Sequence, residues 1–411
     1  MASLKFRTVE ARENWKDVAR QLGFFATLFD DPPYWVEAIE QPFCAVFSID
    51  EIEELIIPAT VELNRLALEA VHYVCTSPES DSILQRMKIP QAYWKAIRAS
   101  WTQGSPSLYG RMDFAYSNGE LKLLELNFDT ASALYESAVF QSIWFSDLVS
   151  SGQIEVNCGQ FNRIHEQLFA AFSSLSKRMP DMHFTCAAGF EEDEETTKYL
   201  QSCARLAGLN SKFLYLHDLG FDETGRLIDL SGGEITTLFK LYAWEKFIED
   251  DELIEKQTGK STLRPIIEEG RTTFFEPAWK IILSNKGILP VLWKLAPDCR
   301  WLLESYFSDS DDAARLVNKP HARKPIFGRQ GLNISLIYPD DYAKGVDTSG
   351  NYGKEGYVLQ SIHPLAKHED YHILLGSWTV CGQASGIGIR AELSPITSGR
   401  NCLFVPHYVE G

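Results

Sequence analysis

No stretch of this 411-residue chain approaches the ~18 consecutive apolar residues that a membrane helix requires, and the N-terminal "MASLKFRTVEARENW" has no apolar run behind its basic residues. These two absences predict a cytoplasmic protein. Positive charge is also scarce: 39 Lys and Arg stand against 56 Asp and Glu, a net charge of -17. Nucleic acids and anionic membrane surfaces call for a basic face. Neither is therefore expected as a partner, whereas small molecules, a cationic amine among them, are compatible with the charge. The eight cysteines include no CxxC pair, which argues against a zinc knuckle or a disulfide framework and predicts reduced thiols. Internal repeats and low-complexity tracts are missing too.

What is present is ample core material. With 45% hydrophobic residues over 411 positions, the chain has the mass of two or three domains. Residues 50–75 carry apolar positions at helical spacing behind Asp50, and the first hundred residues read as mainly helical. A strand hairpin follows at 108–127, then a helix beginning at Ser132. From 183 to 230 the order strand, acidic turn, helix, strand predicts an α/β unit. Beyond 320, short apolar runs bounded by glycine or polar turns predict β structure again. The expected units are 1–150, an inserted α/β subdomain at 151–235, and 236–411. Trp244, Trp279 and Trp293 are expected in the core.

The hairpin "GRMDFAYSNGELKLLELNFDT" carries unusual side chains for two core strands. Strand side chains alternate, so Arg111 and Asp113 share one face, and Glu125 and Asn127 share one face. A two-residue Asn118-Gly119 loop would pair 113 with 124 and set the two pairs on opposite faces. A three-residue loop from Ser117 to Gly119 would pair 111 with 125 and unite them, and this register is the expected one. Asp113, Glu125 and Asn127 would then form an all-oxygen set suited to Mg2+, with Arg111 beside it as an anion binder. A solvated strand face with a surface ion pair is the plainer alternative.

Lys286 in "SNKGILP" and Lys324 in "KPIFGRQGLN" each stand next to a strand-like run. After Lys324 the turn Gly328-Arg329-Gln330-Gly331 would let backbone amides approach an anion. The P-loop pattern GxxxxGK[ST] does not occur.

With these residues in view, "GRMDFAYSNGELKLLELNFDTASALYE" resembles the magnesium-binding segment of the glutathionylspermidine synthase family, whose pattern is Arg-x-Asp-Phe followed by Glu-x-Asn-x-Asp-Thr. "FKLYAWEKF", "EPAWKIILSNKGILPVLW" and "KPIFGRQGLNISL" resemble its later segments in order. The resemblance runs from about residue 20 to residue 405 and implies an α/β (α+β) fold, a permuted ATP-grasp in which the metal residues precede the ATP lysines. It implies ATP and Mg2+ as cofactors, with Asp113, Glu125 and Asn127 as metal ligands. Arg111 would stabilise charge on the transferring group, and Arg390 would serve as a substrate or phosphate arginine. Lys286 and Lys324 would be phosphate lysines, Gly328, Arg329 and Gly331 the lid, and Gln360 a neighbour of adenine. For the substrates it implies Thr130, Ser132 and, from the acidic run at 191–195, Glu195, whose plainer reading is a charged helix start.

The implied reaction joins a peptide-like or amino-acid carboxylate to an amine, polyamines included, through an acyl phosphate. The ligase-like text begins within the first few tens of residues, so the cysteine amidase domain of bifunctional members is not expected. Leu241 stands after Lys240 where the synthase has a threonine, and the substrate stretch differs from the family's at several positions; a lost hydrogen-bonding group changes selectivity. The rival reading is a non-catalytic nucleotide- or polyamine-binding protein on the same fold.

Overall fold

The computed structural model describes residues 4–24, 34–399 and 402–411, and its first strands are β1 (Lys5–Thr8) and β2 (Phe43–Phe47). They pair antiparallel, and β2 pairs in parallel with the last strand of the chain. The expected mainly helical start is otherwise present, and these two short strands are what it did not include: Phe43–Phe47 is buried at every position, and so short a run carries no periodicity to mark it as a strand. The long helix is present over Ile57–Thr76. A π-helical stretch, Glu51–Ile56, runs directly into it, and Pro58, which has no N–H to donate, sits just past that junction. Its Ala59, Leu63, Ala67, Ala70 and Val74 form the buried stripe that packs under the central sheet.

The hairpin strands β3 (Tyr109–Ser117) and β4 (Glu120–Asn127) belong to that sheet. Glu276 accepts the Leu108 and Tyr109 N–H groups, which fixes the start of β3. Next come β5 (Asp181–Cys186), β6 (Asn210–Tyr215), the small pair β7 (Gly220–Phe221) and β8 (Leu227–Ile228), then β9 (Thr237–Leu241) and β10 (Thr273–Phe275). A parallel sheet in the order β10-β9-β5-β6 draws on residues either side of position 235. The helix Glu191–Leu206 covers β5 and β6. Four of its five acidic residues occupy the first turn, the end of a helix that favours negative charge.

An antiparallel sheet follows: β11 (Ser305–Phe307), β12 (His321–Pro325), β13 (Ser335–Ile337), β14 (Val346–Asp347) and β15 (Tyr357–Ser361), ordered β11-β15-β12-β13-β14. The chain then completes the central sheet with β16 (Ala366–His368), β17 (Tyr371–Val380), β18 (Gln383–Glu392) and β19 (Leu403–Val405), and ends on β20 (His407–Val409). The strand order there is β19-β18-β17-β3-β4, with β16 pairing β17. No helix among the described residues is long and apolar enough to cross a membrane.

Two local expectations change. The helix after the hairpin starts at Leu134, not Ser132, because Ala133 adopts a left-handed φ of 63° that no α-helix tolerates. Lys286 adjoins no strand; it lies in the turn between a 3-10 segment, Ala278–Ile281, and the helix Ile288–Leu295. Trp244 and Trp279 are buried and Trp293 packs against the core at partial burial, as their bulk predicts.

Candidate active site

The register of the hairpin decides what its side chains can do together. The loop is the two-residue one, with Asn118 at φ 54° and Gly119 at φ 76°, and Ser117 pairs with Glu120. This corrects the expected three-residue loop. The pairing runs regularly to Phe114 with Leu123, and there a β-bulge leaves Leu124 without a partner, so Asp113 faces Glu125 and Arg111 faces Asn127. One extra residue thus shifts the phase of β4 and brings all four polar side chains onto one face.

On that face Asp113, only 1% exposed, is held from three directions. Arg111 donates from Nε and Nη2 at 2.6 and 3.1 Å, Arg390 of β18 donates at 2.6 Å, and Asn127 Nδ2 donates at 3.0 Å. Asn127 also donates to Glu125 at 3.2 Å, and Lys286 Nζ lies 3.1 Å from the other Glu125 oxygen. Lys324 of β12 donates to the Leu124 carbonyl at 2.9 Å and to Gln360 Oε1 at 2.6 Å. Gln360 of β15 donates in turn to the Leu123 carbonyl at 3.2 Å. The carbonyls exposed by the bulge therefore anchor the five-stranded sheet against the hairpin.

Burial alone would raise the Glu125 carboxyl, but Lys286 and Lys324 outweigh it and hold the group well below the ordinary carboxylate range. Burial lowers the Lys324 ammonium to about 8, against the opposing pull of Glu125. Burial would lower Arg390 as well, yet Asp113 leaves it raised. Arg111, Arg390, Lys286 and Lys324 outnumber the two carboxylates, so the site has an unmatched positive charge of the kind a polyanion satisfies.

Beside this charged end opens a cavity of about 310 Å³, whose other walls include Ile334, Leu336, Ile362 and Leu374. Asp113, Glu125, Lys324, Gly331 and Gln360 all line it. An apolar slot that ends on convergent charges is the shape of a nucleotide site. For a divalent cation the available donors are two facing carboxylates and an amide. This hard-oxygen set fits Mg2+, which keeps positions for water and phosphate; among the described residues no group of three His, Cys, Asp or Glu is gathered as a metal site.

The glycine turn between β12 and β13 is held to the same centre: Lys286 Nζ donates to the Gly328 carbonyl at 2.8 Å. Gly331 has φ 64°, and a Cβ there would meet the Thr397 carbonyl oxygen at 2.5 Å, so glycine is required. Arg329 points away from the carboxylates. Its Nε and Nη2 donate to Glu245 Oε1 at 2.9 and 2.7 Å, and its Nη1 donates to Thr130 Oγ1 at 2.6 Å. Ser132 is exposed, and its carbonyl accepts from Arg111. Glu195 is half-buried on the helix Glu191–Leu206. Burial first, then the charges of Glu192 and Glu195, push the buried Glu136 carboxyl up to about 8, while Tyr34 donates to it at 2.6 Å.

Sequence reasoning passed over Glu245, Glu136 and the fully buried pair of Lys240 and Asp129, whose Nζ and Oδ1 are 2.8 Å apart. The signal for the last was available: Lys240 interrupts the apolar strand "TLFKL", and Asp129 sits inside the hairpin motif.

The family profile described as glutathionylspermidine synthase preATP-grasp matches residues 6–410. The chain belongs to the glutathionylspermidine synthase family. A Haemophilus influenzae relative assigned as an acid–amine ligase is 32% identical over 391 residues, which span 92% of each chain. Trypanothione synthetase of Crithidia fasciculata is 29% identical over 82% of this chain, and the bifunctional glutathionylspermidine synthetase/amidase of Escherichia coli is 28% identical over 86%. The matched segments cover 52% and 58% of those two longer proteins. A glutathione synthetase-like effector from Globodera pallida, solved in its apo form, shares the fold at a TM-score of 0.54 and 12% identity, over 97% of this chain and 99% of its own.

Proposed function

We propose that this member of the glutathionylspermidine synthase family is an ATP- and Mg-dependent ligase that joins a peptide-like or amino-acid carboxylate to an amine, polyamines included. The observation that carries the reading is the convergence of four cations on two facing carboxylates, with Asp113, Glu125 and Lys324 lining an adjoining apolar cavity. A carboxylate is a poor electrophile until a phosphoryl group makes its oxygen a leaving group. Asp113, Glu125 and Asn127 would hold Mg2+, which supplies charge neutralisation among the phosphate oxygens. Lys286 and Lys324 balance the remaining phosphate charge, and the apolar walls receive the base.

Arg111, pinned to Asp113 and to the Ser132 carbonyl, is aimed at charge that develops on the γ-phosphoryl group during its transfer. The acid's carboxylate oxygen bonds to the γ-phosphorus, the bond to the ADP oxygen breaks, and an acyl phosphate forms. The amine's lone pair then attacks the acyl carbon, phosphate departs with its bonding electrons, and the nitrogen loses a proton. Positioning and exclusion of water carry this chemistry; no activated serine or cysteine is needed. Ser132, whose carbonyl receives Arg111, and Thr130, which Arg329 holds, would meet the acid, and the acidic first turn that leads to Glu195 suits a cationic amine.

The test is ADP release with Mg2+, crossing a panel of amino acids and short peptides with polyamines and simple amines, followed by mass spectrometry of the products. Amine-dependent turnover yielding an amide supports the ligase. Tight Mg-ATP binding without turnover for any pair would move the chain to the rival reading of a binding protein.

A further inference from the structure

Three segments distant in sequence close a ring beside the candidate site. Asp129 accepts the Trp244 N–H at 2.7 Å, which caps the helix Trp244–Thr258 (the carboxylate at a helix N-terminus is favourable in itself) and leaves the next residue, Glu245, facing the glycine turn. Glu245 holds Arg329 through two hydrogen bonds, and Arg329 returns to Thr130, the neighbour of Asp129. Asp129 is itself immobilised by Lys240, both fully buried. On one side of the ring lies the glycine turn that Lys286 also grips at Gly328. On the other lies the 130–132 loop whose Ser132 carbonyl receives Arg111.

We infer that Glu245 is a positioning residue: by holding Arg329 against Thr130 it fixes the glycine turn and the acid-binding loop as one unit, so that closure over the nucleotide and placement of the acid occur together. Neither Glu245 nor its helix touches the nucleotide cavity, so its effect is transmitted through Arg329. The conformational half of the inference stands on geometry alone, and the catalytic half rests on the ligase reading. A carboxylate is needed rather than a generic polar group, since a single oxygen accepts two guanidinium N–H donors and carries the charge that retains them.

Trypsin supplies a test that requires no substrate, because the Arg329–Gln330 bond is itself a cleavage site. In Glu245→Gln the bond should be cut several-fold faster than in the parent, with cleavage elsewhere unchanged and with Glu245→Asp intermediate. Equal rates at this bond in parent and Glu245→Gln would overturn the latch. In the amide assay Glu245→Gln should raise KM for ATP and for the acid together, leave KM for the amine unchanged, and raise the ADP released per amide formed. The charge-exchanged Glu245→Arg/Arg329→Glu variant should restore part of that stoichiometry. A parent that turns over while Glu245→Gln keeps its KM values and its ADP-to-amide ratio would sink the positioning role. A parent without turnover on any pair would instead sink the ligase reading, with proteolysis still deciding the latch.

Discussion

Asp113 and Glu125 face each other across one hairpin, yet they should fail differently when altered. Asp113 is buried between two guanidinium groups, and removing one partner of such a set leaves buried charge uncompensated. Asp113→Ala should therefore lower stability by about 3–5 kcal/mol in chemical denaturation, besides abolishing ATP turnover. Glu125 keeps 28% of its side chain exposed while Lys286 and Lys324 hold its charge, so Glu125→Gln should lose ATP turnover with a smaller drop in melting temperature than Asp113→Ala. Lys324 carries the pH dependence. With its ammonium lowered to about 8, it is charged below that pH and neutral above, so kcat/KM for ATP should be flat on the acid side and fall above about pH 8. Lys324→Arg keeps its charge, and if it retains turnover its profile should lack that fall; an unchanged profile would remove Lys324 from phosphate binding.

At the scale of elements, the glycine turn is under close steric control. An alanine at Gly331 would need both a left-handed backbone and a shift off Thr397, a strain of about 1–2 kcal/mol. If the strain is relieved by opening the turn, Gly331→Ala should raise KM for ATP by about tenfold, measured in the same ADP assay, with little change in melting temperature. The site's residues were legible in the sequence because ionic groups inside apolar strands need a reason to be there: Arg111, Asp113, Glu125 and Lys324 all stand out in that way. Their register was not legible. The bulge at Leu124 is stabilised by Lys324 and Gln360 reaching the Leu123 and Leu124 carbonyls from another sheet, and no local pattern of β4 records that. Lys286 was misplaced next to a strand for a similar reason: its apolar flanks are helix and core, which a short run does not separate from a strand.

For the whole molecule, the cavity is lined by residues of two sheets that those cross-sheet bonds join. A ligand that bridges them should stabilise the fold as a unit: Mg-ATP at about one hundred times its Kd should add about 2.7 kcal/mol, read as a rise in melting temperature by scanning calorimetry. ATP without Mg2+ should give less, since Asp113 and Glu125 then meet phosphate directly. The same rise with and without the cation would count against the carboxylates as cation ligands. The net charge of -17 acts at this scale too. Raising ionic strength should weaken capture of a cationic amine by screening the long-range field.

The bulge also makes the hairpin a counting device with an asymmetric tolerance. Between Gly119 and Glu125 the strand holds one residue more than regular pairing needs. A chain shorter by one residue there would pair without a bulge and still set Asp113 opposite its glutamate. A chain shorter by two would turn that glutamate and the following asparagine to the opposite face and disperse the site, even with every functional side chain retained. Odd and even gaps in this strand thus carry opposite meanings when relatives are compared.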